Sequence, residues 1–351
     1  MADGQMEGGR ITDTDTRSTH PSGFENPEQP TPVSPPANRQ ITVLTIAGFD
    51  PSSGAGLSAD LKVFAAHGLY GVAAATALTV QSTAGVRRSE PVSAALLAET
   101  LACLAEDLPL DGIKIGMLAT AHNVDAVARF LESFATREIP IVLDPVLCSS
   151  SGHPLLDPAG LERLRTQLLP VICSFQPGVV TPNLDELLLL TGRPPGPSVA
   201  EAPAVEEAAF LLAEQFPKLD VVATGGHLAR PDDCVVSPGQ APVWLEGEWV
   251  HTRATHGTGC GFSSALLCGL VAGLGLLDAA RAAKRYVAGA LGAAIPMGHG
   301  GGSMDHFYAV DLVPGRIGAE RAKRPDATNQ AASSSYLQQC ARPTTASETG
   351  E

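Results

Sequence analysis

The chain has 351 residues, 44% of them hydrophobic, and a formal net charge of −14. That length supports one large core-forming domain, and the charge lacks the basic face that nucleic-acid binding needs, although a local helix end or loop still suffices for an anionic nucleotide. No apolar run reaches membrane-spanning length without polar interruption, and no secretory segment opens the chain; seven scattered cysteines keep neither zinc spacing nor a disulfide rhythm, so a reducing, cytoplasmic compartment is expected.

Residues 1–40 are rich in Pro, Ser, Thr and Asn, with four prolines within 30–36, and are expected to form a tail that buries too little apolar surface to order itself. A buried strand at 41–47 then leads to a helix at 55–67, with Leu57, Leu61 and Phe64 on one face. The pattern continues with a strand at 72–78, a helix at 96–108, a strand at 112–115, a helix at 124–134 and a strand at 139–143. Beyond these come a helix at 161–169, a strand at 178–181, helices at 184–190 and 205–215, and a strand at 221–223. A glycine turn and an apolar helical run at 262–274 precede the closing helices, and a second polar tail is expected over 319–351. The folded domain is therefore expected over 41–318. Alternating strands and helices with continuous apolar strands predict an α/β fold, a mostly parallel central sheet with helices on both faces. In such sheets ligands bind beyond the carboxyl ends of the strands, where Asp50, Asp144, Asn183 and Gly225 fall. No Walker-type loop occurs, and Gly54-Ala55-Gly56 lacks the third glycine of a dinucleotide fingerprint.

The most informative stretch is His256-Gly257-Thr258-Gly259-Cys260-Gly261. Glycines permit a turn that aims successive N–H groups at one point, and the apolar run behind them places those groups at the positive end of a helix. Cys260 in the first turn is expected to have a depressed thiol pKa, which would set a base beside an anion hole. That pairing suits phosphoryl transfer to a hydroxyl; the plainer alternative is the ordinary start of a helix.

Other positions carry a similar choice. The small residues of 48–56 let backbone approach a ligand or simply make a βα turn, and Asp60 lies one helical turn further on, near the loop mouth. Asp144 either orders its loop or orients a magnesium-bound water. Asn183 and Glu186 match a capping box, and Glu186 also suits a magnesium–phosphate cluster. Thr224-Gly225-Gly226 suits nucleotide phosphates or merely ends a strand. His256 borders the anion hole as a packing or hydrogen-bonding residue or as a catalyst; His299 and His306 are too far apart for a helical metal pair and read as structural.

Taken in order, 47–56, Gln81-Ser82-Thr83, 114–118, Leu143-Asp144-Pro145-Val146, 181–186, Gly225-Gly226-His227-Leu228 and 255–260 resemble one family. The chain is similar, over 41–310, to the hydroxymethylpyrimidine/phosphomethylpyrimidine kinases of thiamine biosynthesis, a branch of the ribokinase-like fold. The resemblance implies ATP-dependent phosphorylation of the pyrimidine alcohol and of its monophosphate, with Mg2+, and a homodimer. It implies that Gly48, Asp60, Gln81, Met117 and Val146 line the pyrimidine site and that Cys260 accepts the hydroxyl proton. It further implies an anion hole of Gly257, Thr258 and Gly259, ATP contacts from Asn183, Thr224 and Gly226, and Asp144 and Glu186 near the metal. Thr224 stands where many members have lysine, Ser150 where some do, and Phe49 replaces a commoner small polar residue. The rival readings are a pyridoxal or pyridoxine kinase and a catalytically silent ligand-binding protein.

Overall fold

The computed structural model describes Met1 and residues 39–310, except 135–137, 150, 151, 194–201, 227 and 295. The expected tails fall almost wholly outside the described residues, as do Ser150 and His227. The described residues from Ile41 to Val310 form one compact unit.

Among the described residues its centre is a nine-stranded sheet in the order β3-β2-β1-β4-β5-β6-β7-β8-β9. The strands are β1 (Thr42–Phe49), β2 (Tyr70–Ser82), β3 (Gly85–Pro91), β4 (Gly112–Ile115), β5 (Ile141–Leu143), β6 (Gly178–Val180), β7 (Leu219–Ala223), β8 (Asp233–Val236) and β9 (Val243–Leu245). The six from β2 across to β7 run parallel, while β3 on one side and β8 and β9 on the other are antiparallel. Chain order reverses direction at β1, whose neighbours are β2 and β4, and this is where an open α/β sheet leaves a crevice at its carboxyl edge.

Strand periodicity sorts the core onto two faces. Ile141 and Leu143 point to one face and Val142 to the other; Val180 and Val179, then Val221 and Val222, repeat the split. The first face is covered by α2 (Ala94–Asp107), α3 (Ala121–Glu132), α6 (Leu184–Leu190) and α7 (Ala202–Gln215). The second carries α1 (Gly56–Ala66), α8 (Thr258–Val271) and α9 (Leu276–Gly292). The single helix expected at 161–169 is instead three pieces: α4 (Pro158–Arg163), a π-helical turn (Leu164–Leu168) and α5 (Leu169–Ile172). Pro170, which has no N–H to give to a helix, is the second residue of α5, just after the π-helical turn.

Candidate active site

The glycine turn does start a helix. Gly257, the residue before α8, has a left-handed backbone with φ of 80°. A Cβ there would sit 1.9 Å from the Gly54 carbonyl oxygen, so only glycine lets this turn close on the β1–α1 loop. The first bond inside α8 runs from the Gly261 N–H to the Gly257 carbonyl. The N–H groups of Gly257, Thr258, Gly259 and Cys260 therefore have no acceptor within the helix and lie at the positive end of its dipole.

The foundation beneath that end is a buried charge cluster. Lys114 is the third residue of the four-residue strand β4 and is 0% exposed, as is Asp60 on α1. Lys114 Nζ donates to both Asp60 oxygens at 2.9 and 3.1 Å. Thr45 Oγ1 and Ser264 Oγ donate to the same carboxylate at 2.6 and 2.8 Å. One residue earlier on α8, Ser263 Oγ donates to Asp144 Oδ2 at 3.0 Å. Consecutive serines thus moor the helix start to two acids, one within α1 and one just beyond β5. Burial alone would lower the Lys114 pKa, but the charges of Asp60, Cys260 and Asp144 outweigh it and hold the ammonium above its usual range. Burial raises Asp144, with Lys114 acting against it.

Two expectations need correction here. Asp60 does not face a ligand: it has no solvent exposure, and its carboxylate is occupied by Lys114, Thr45 and Ser264. The Cys260 thiol is not depressed. Its side chain is only half-buried, yet desolvation by the atoms around it pushes the pKa up to about 12, although Lys114 pulls the other way. Lys114 fails to offset burial together with the nearby charges of Asp144 and Asp60. The sulfur accepts the Gly56 N–H and is hydrogen-bonded to Asp144.

Four of the residues expected around the pyrimidine do gather at the carboxyl end of β1. A Cβ on Gly48 would lie 2.7 Å from Met117 Sδ, and Met117 packs with Ala77, Leu155 and Val146. Gln81 at the end of β2 joins them through a polar chain: its amide nitrogen lies 3.0 Å from His256 Nε2, which lies 2.8 Å from Asp50 Oδ2. Asp50 also receives Ser52 N–H and O–H at 2.8 and 2.7 Å; burial would raise its pKa, but His256 and Ser52 bring it below the usual value. His256 is thus a hydrogen-bonding link between the two loops.

On the other side of the α8 start lies a cavity of about 530 Å³. Thr258 and Gly259 border it, with Thr224, Gly226, Trp244, Trp249, Arg281 and Arg285 among its other walls. Asn183 is not among them. Its side chain accepts the Glu186 N–H at 3.0 Å while Glu186 Oε2 accepts the Asn183 N–H at 2.9 Å, a complete capping box. Glu186 is buried, and desolvation followed by the charge of Asp144 pushes its pKa up to about 8. Among the described residues no group of three or more His, Cys, Asp or Glu side chains is placed to hold a metal. His306 is buried with both ring nitrogens unpartnered among the described residues, and burial, then Lys62, lowers its pKa to about 4.

Lys114 is the buried charge beneath the site that sequence patterning did not single out. The available signal was a lysine inside a short apolar strand, followed by Gly116, where a Cβ would come within 2.8 Å of the ammonium.

Comparison with known proteins agrees with this geometry. A family model described as phosphomethylpyrimidine kinase matches residues 50–305. The hydroxymethylpyrimidine/phosphomethylpyrimidine kinase of Streptomyces coelicolor is 38% identical over 279 residues, covering 80% of this chain and 97% of that one. The crystal structure of phosphomethylpyrimidine kinase from Clostridium difficile 630 superposes with a TM-score of 0.59 at 30% identity, covering 71% of this chain and 98% of that one. Pyridoxal kinase from Staphylococcus aureus in complex with ADP superposes with a TM-score of 0.68 at 28% identity, covering 78% and 96%. No helix among the described residues is long and apolar enough to cross a membrane.

Proposed function

The chain belongs to the phosphomethylpyrimidine kinase family and has its ribokinase-like fold, and from that premise we propose how its site works. The protein phosphorylates 4-amino-5-hydroxymethyl-2-methylpyrimidine with ATP, and then the monophosphate to the diphosphate, in thiamine biosynthesis. One observation carries the reading. The bare N–H groups at the start of α8 stand between the 530 Å³ cavity, bordered by Thr258 and Gly259, and the Gly48–Met117 wall, reached from Cys260 through Gly56.

In this reading the nucleotide occupies the cavity, with Thr224 and Gly226 near its phosphates and Arg281 and Arg285 supplying positive charge. Gly48, Met117 and Val146 hold the pyrimidine ring, Gln81 binds its edge, and the hydroxymethyl oxygen lies toward Cys260. Gly257, Thr258 and Gly259 receive the negative oxygens of the phosphoryl group in transfer. Cys260 takes the alcohol proton in the first step, in the fraction of molecules where it is ionised to the thiolate, and becomes the thiol. The second needs no base, because the attacking phosphate oxygen is already largely deprotonated at neutral pH.

Asp144 and Glu186 fit a magnesium ion: they are buried oxygen donors, and the charge of one raises the pKa of the other. Bound there, the ion would neutralise charge on the phosphates. Asn183 then serves the site by holding Glu186 rather than by touching nucleotide.

The same reading makes 41–318 the catalytic domain of a cytoplasmic homodimer. Tyr70, Leu78 and Val80 are exposed on β2, beside the edge strand β3, and offer an apolar face to a second copy. The pyridoxal kinase alternative draws on the higher TM-score of the Staphylococcus aureus structure, 0.68 against 0.59. An ADP-release assay with the pyrimidine alcohol, its monophosphate and pyridoxal separates the two. Turnover of both pyrimidines ahead of pyridoxal supports the proposal, and a preference for pyridoxal overturns it.

A further inference from the structure

We propose that Thr79 and His256 lock the side-chain amide of Gln81 in one orientation, and that this locked amide selects an aminopyrimidine alcohol over a hydroxypyridine alcohol. The inference rests on the pyrimidine site proposed above.

Thr79 Oγ1 lies 2.9 Å from the Phe49 carbonyl oxygen and 3.1 Å from Gln81 Oε1, both acceptors, yet a hydroxyl has a single proton to give. His256 Nε2 lies 2.8 Å from Asp50 Oδ2 and 3.0 Å from Gln81 Nε2. Asp50 is a carboxylate that already accepts from Ser52 twice and from the Gly54 and Ala55 N–H groups, so it donates nothing. His256 Nε2 must therefore carry the proton facing Asp50, and an N–H does not accept a bond from the Gln81 amide.

The meeting of two donors at His256 disappears when the Gln81 amide is turned by 180°, an exchange of atoms of nearly equal size. Thr79 then donates to Phe49 and accepts from the Gln81 amide N–H, while His256 Nε2–H is shared between Asp50 and the Gln81 oxygen. No donor then faces a donor, and only this amide orientation achieves that.

What remains of Gln81 is one N–H and one oxygen lone pair, at fixed positions. An aminopyrimidine offers a ring nitrogen beside an exocyclic amine, an acceptor next to a donor, and so answers both groups. A fixed amide accepts that edge in one register, which settles where the neighbouring hydroxymethyl group lies. A hydroxypyridine has no ring nitrogen beside its hydroxyl-bearing carbon and answers only one of the two groups. Thr79 and His256 are thus positioning residues, acting through Gln81.

The test is Thr79→Val, which keeps the β-branched shape and removes the hydroxyl, with Thr79→Ser as the restoring variant. Loss of one neutral hydrogen bond corresponds to about two- to tenfold. We expect kcat/KM for the pyrimidine alcohol to fall by about that factor in Thr79→Val and to recover in Thr79→Ser, with pyridoxal changed by less than about twofold. Equal losses for both alcohols, or no change in their ratio, would overturn the lock while leaving pyrimidine kinase activity in place. Wild-type protein that turns over neither pyrimidine would overturn the lock and the proposed function together. If Thr79→Val does not fold, calorimetry on the wild-type protein decides. Binding of 5-hydroxymethyl-2-methylpyrimidine, which lacks the amine, should be weaker than that of the amino compound by several-fold, and equal binding overturns the proposal.

Discussion

Replacing Lys114 by methionine keeps the length of the side chain and removes its charge. The ammonium lies 2.9 Å from Asp60 Oδ2 with both side chains at 0% exposure, so the variant leaves a carboxylate buried without its counter-ion. Breaking a buried pair from one side typically costs about 3–5 kcal/mol. Set against a total stability of about 5–15 kcal/mol for a typical domain, that is a large share of the whole. The damage should also reach the site, because Ser264 on α8 bonds to the same carboxylate at 2.8 Å. Urea unfolding followed by the fluorescence of Trp244 and Trp249 gives the midpoint shift. Adding Asp60→Asn to Lys114→Met should recover most of the loss, since a neutral amide still bonds to Thr45 and Ser264 and leaves no uncompensated charge. A loss below about 1 kcal/mol in the single variant, or a double variant no more stable than it, would refute the view that this pair supports the helix start.

Two further outcomes follow from the same geometry. Glu186 has its pKa raised from an ordinary 4.5 to about 8, so its contribution to stability is fully present below about pH 4.5 and is lost as pH rises through 8. Glu186→Gln should flatten that decline in an unfolding-against-pH series and should also weaken the magnesium dependence of turnover; a variant with the wild-type slope and magnesium dependence would reduce Glu186 to a capping residue. Gly257→Ala forces a side chain into a backbone with φ of 80° and to within 1.9 Å of the Gly54 oxygen, so it should destabilise by more than about 2 kcal/mol and weaken nucleotide binding, read by urea melts and calorimetry. Wild-type values on both would mean the turn is not held against the β1–α1 loop.

Much of the framework was legible because it depends on local pattern. Strand β4 and helix α6 fall on the expected residues, and the capping box of Asn183 and Glu186 needed only their spacing. The parallel strands showed as continuous apolar runs because both their faces are covered. Strands β3, β8 and β9 escaped for the opposite reason. Gly85–Pro91 includes Arg87, Arg88 and Glu90, all exposed, and β8 and β9 are short pieces at the far side of the sheet. The site divides in the same way. Glycines at 257 and 259 announced the helix end, because a tight turn requires them locally. The corrections for Asp60 and Cys260 come from partners remote in sequence: Lys114 is 54 residues from Asp60, and Asp144 meets α8 at Ser263 across a separation of 119. Burial by such partners leaves no periodic trace, so a thiol at a helix start looked activated when its surroundings hold it neutral.

The central claim is that one anion-lined helix start serves both phosphorylations and that Cys260 moves a proton only in the first. Initial rates of Cys260→Ser and wild-type protein, measured with the alcohol and with the monophosphate from pH 7 to 9, test it most directly. The alcohol rate should fall by about 10²–10⁴ in the variant and the monophosphate rate far less, since a serine hydroxyl ionises far less than a thiol over this range and the phosphate needs no base. With the thiol pushed up to about 12, the wild-type alcohol rate should climb through the whole range while the monophosphate rate stays level. Equal losses in the two rates, or an alcohol rate untouched by the substitution, would contradict the account.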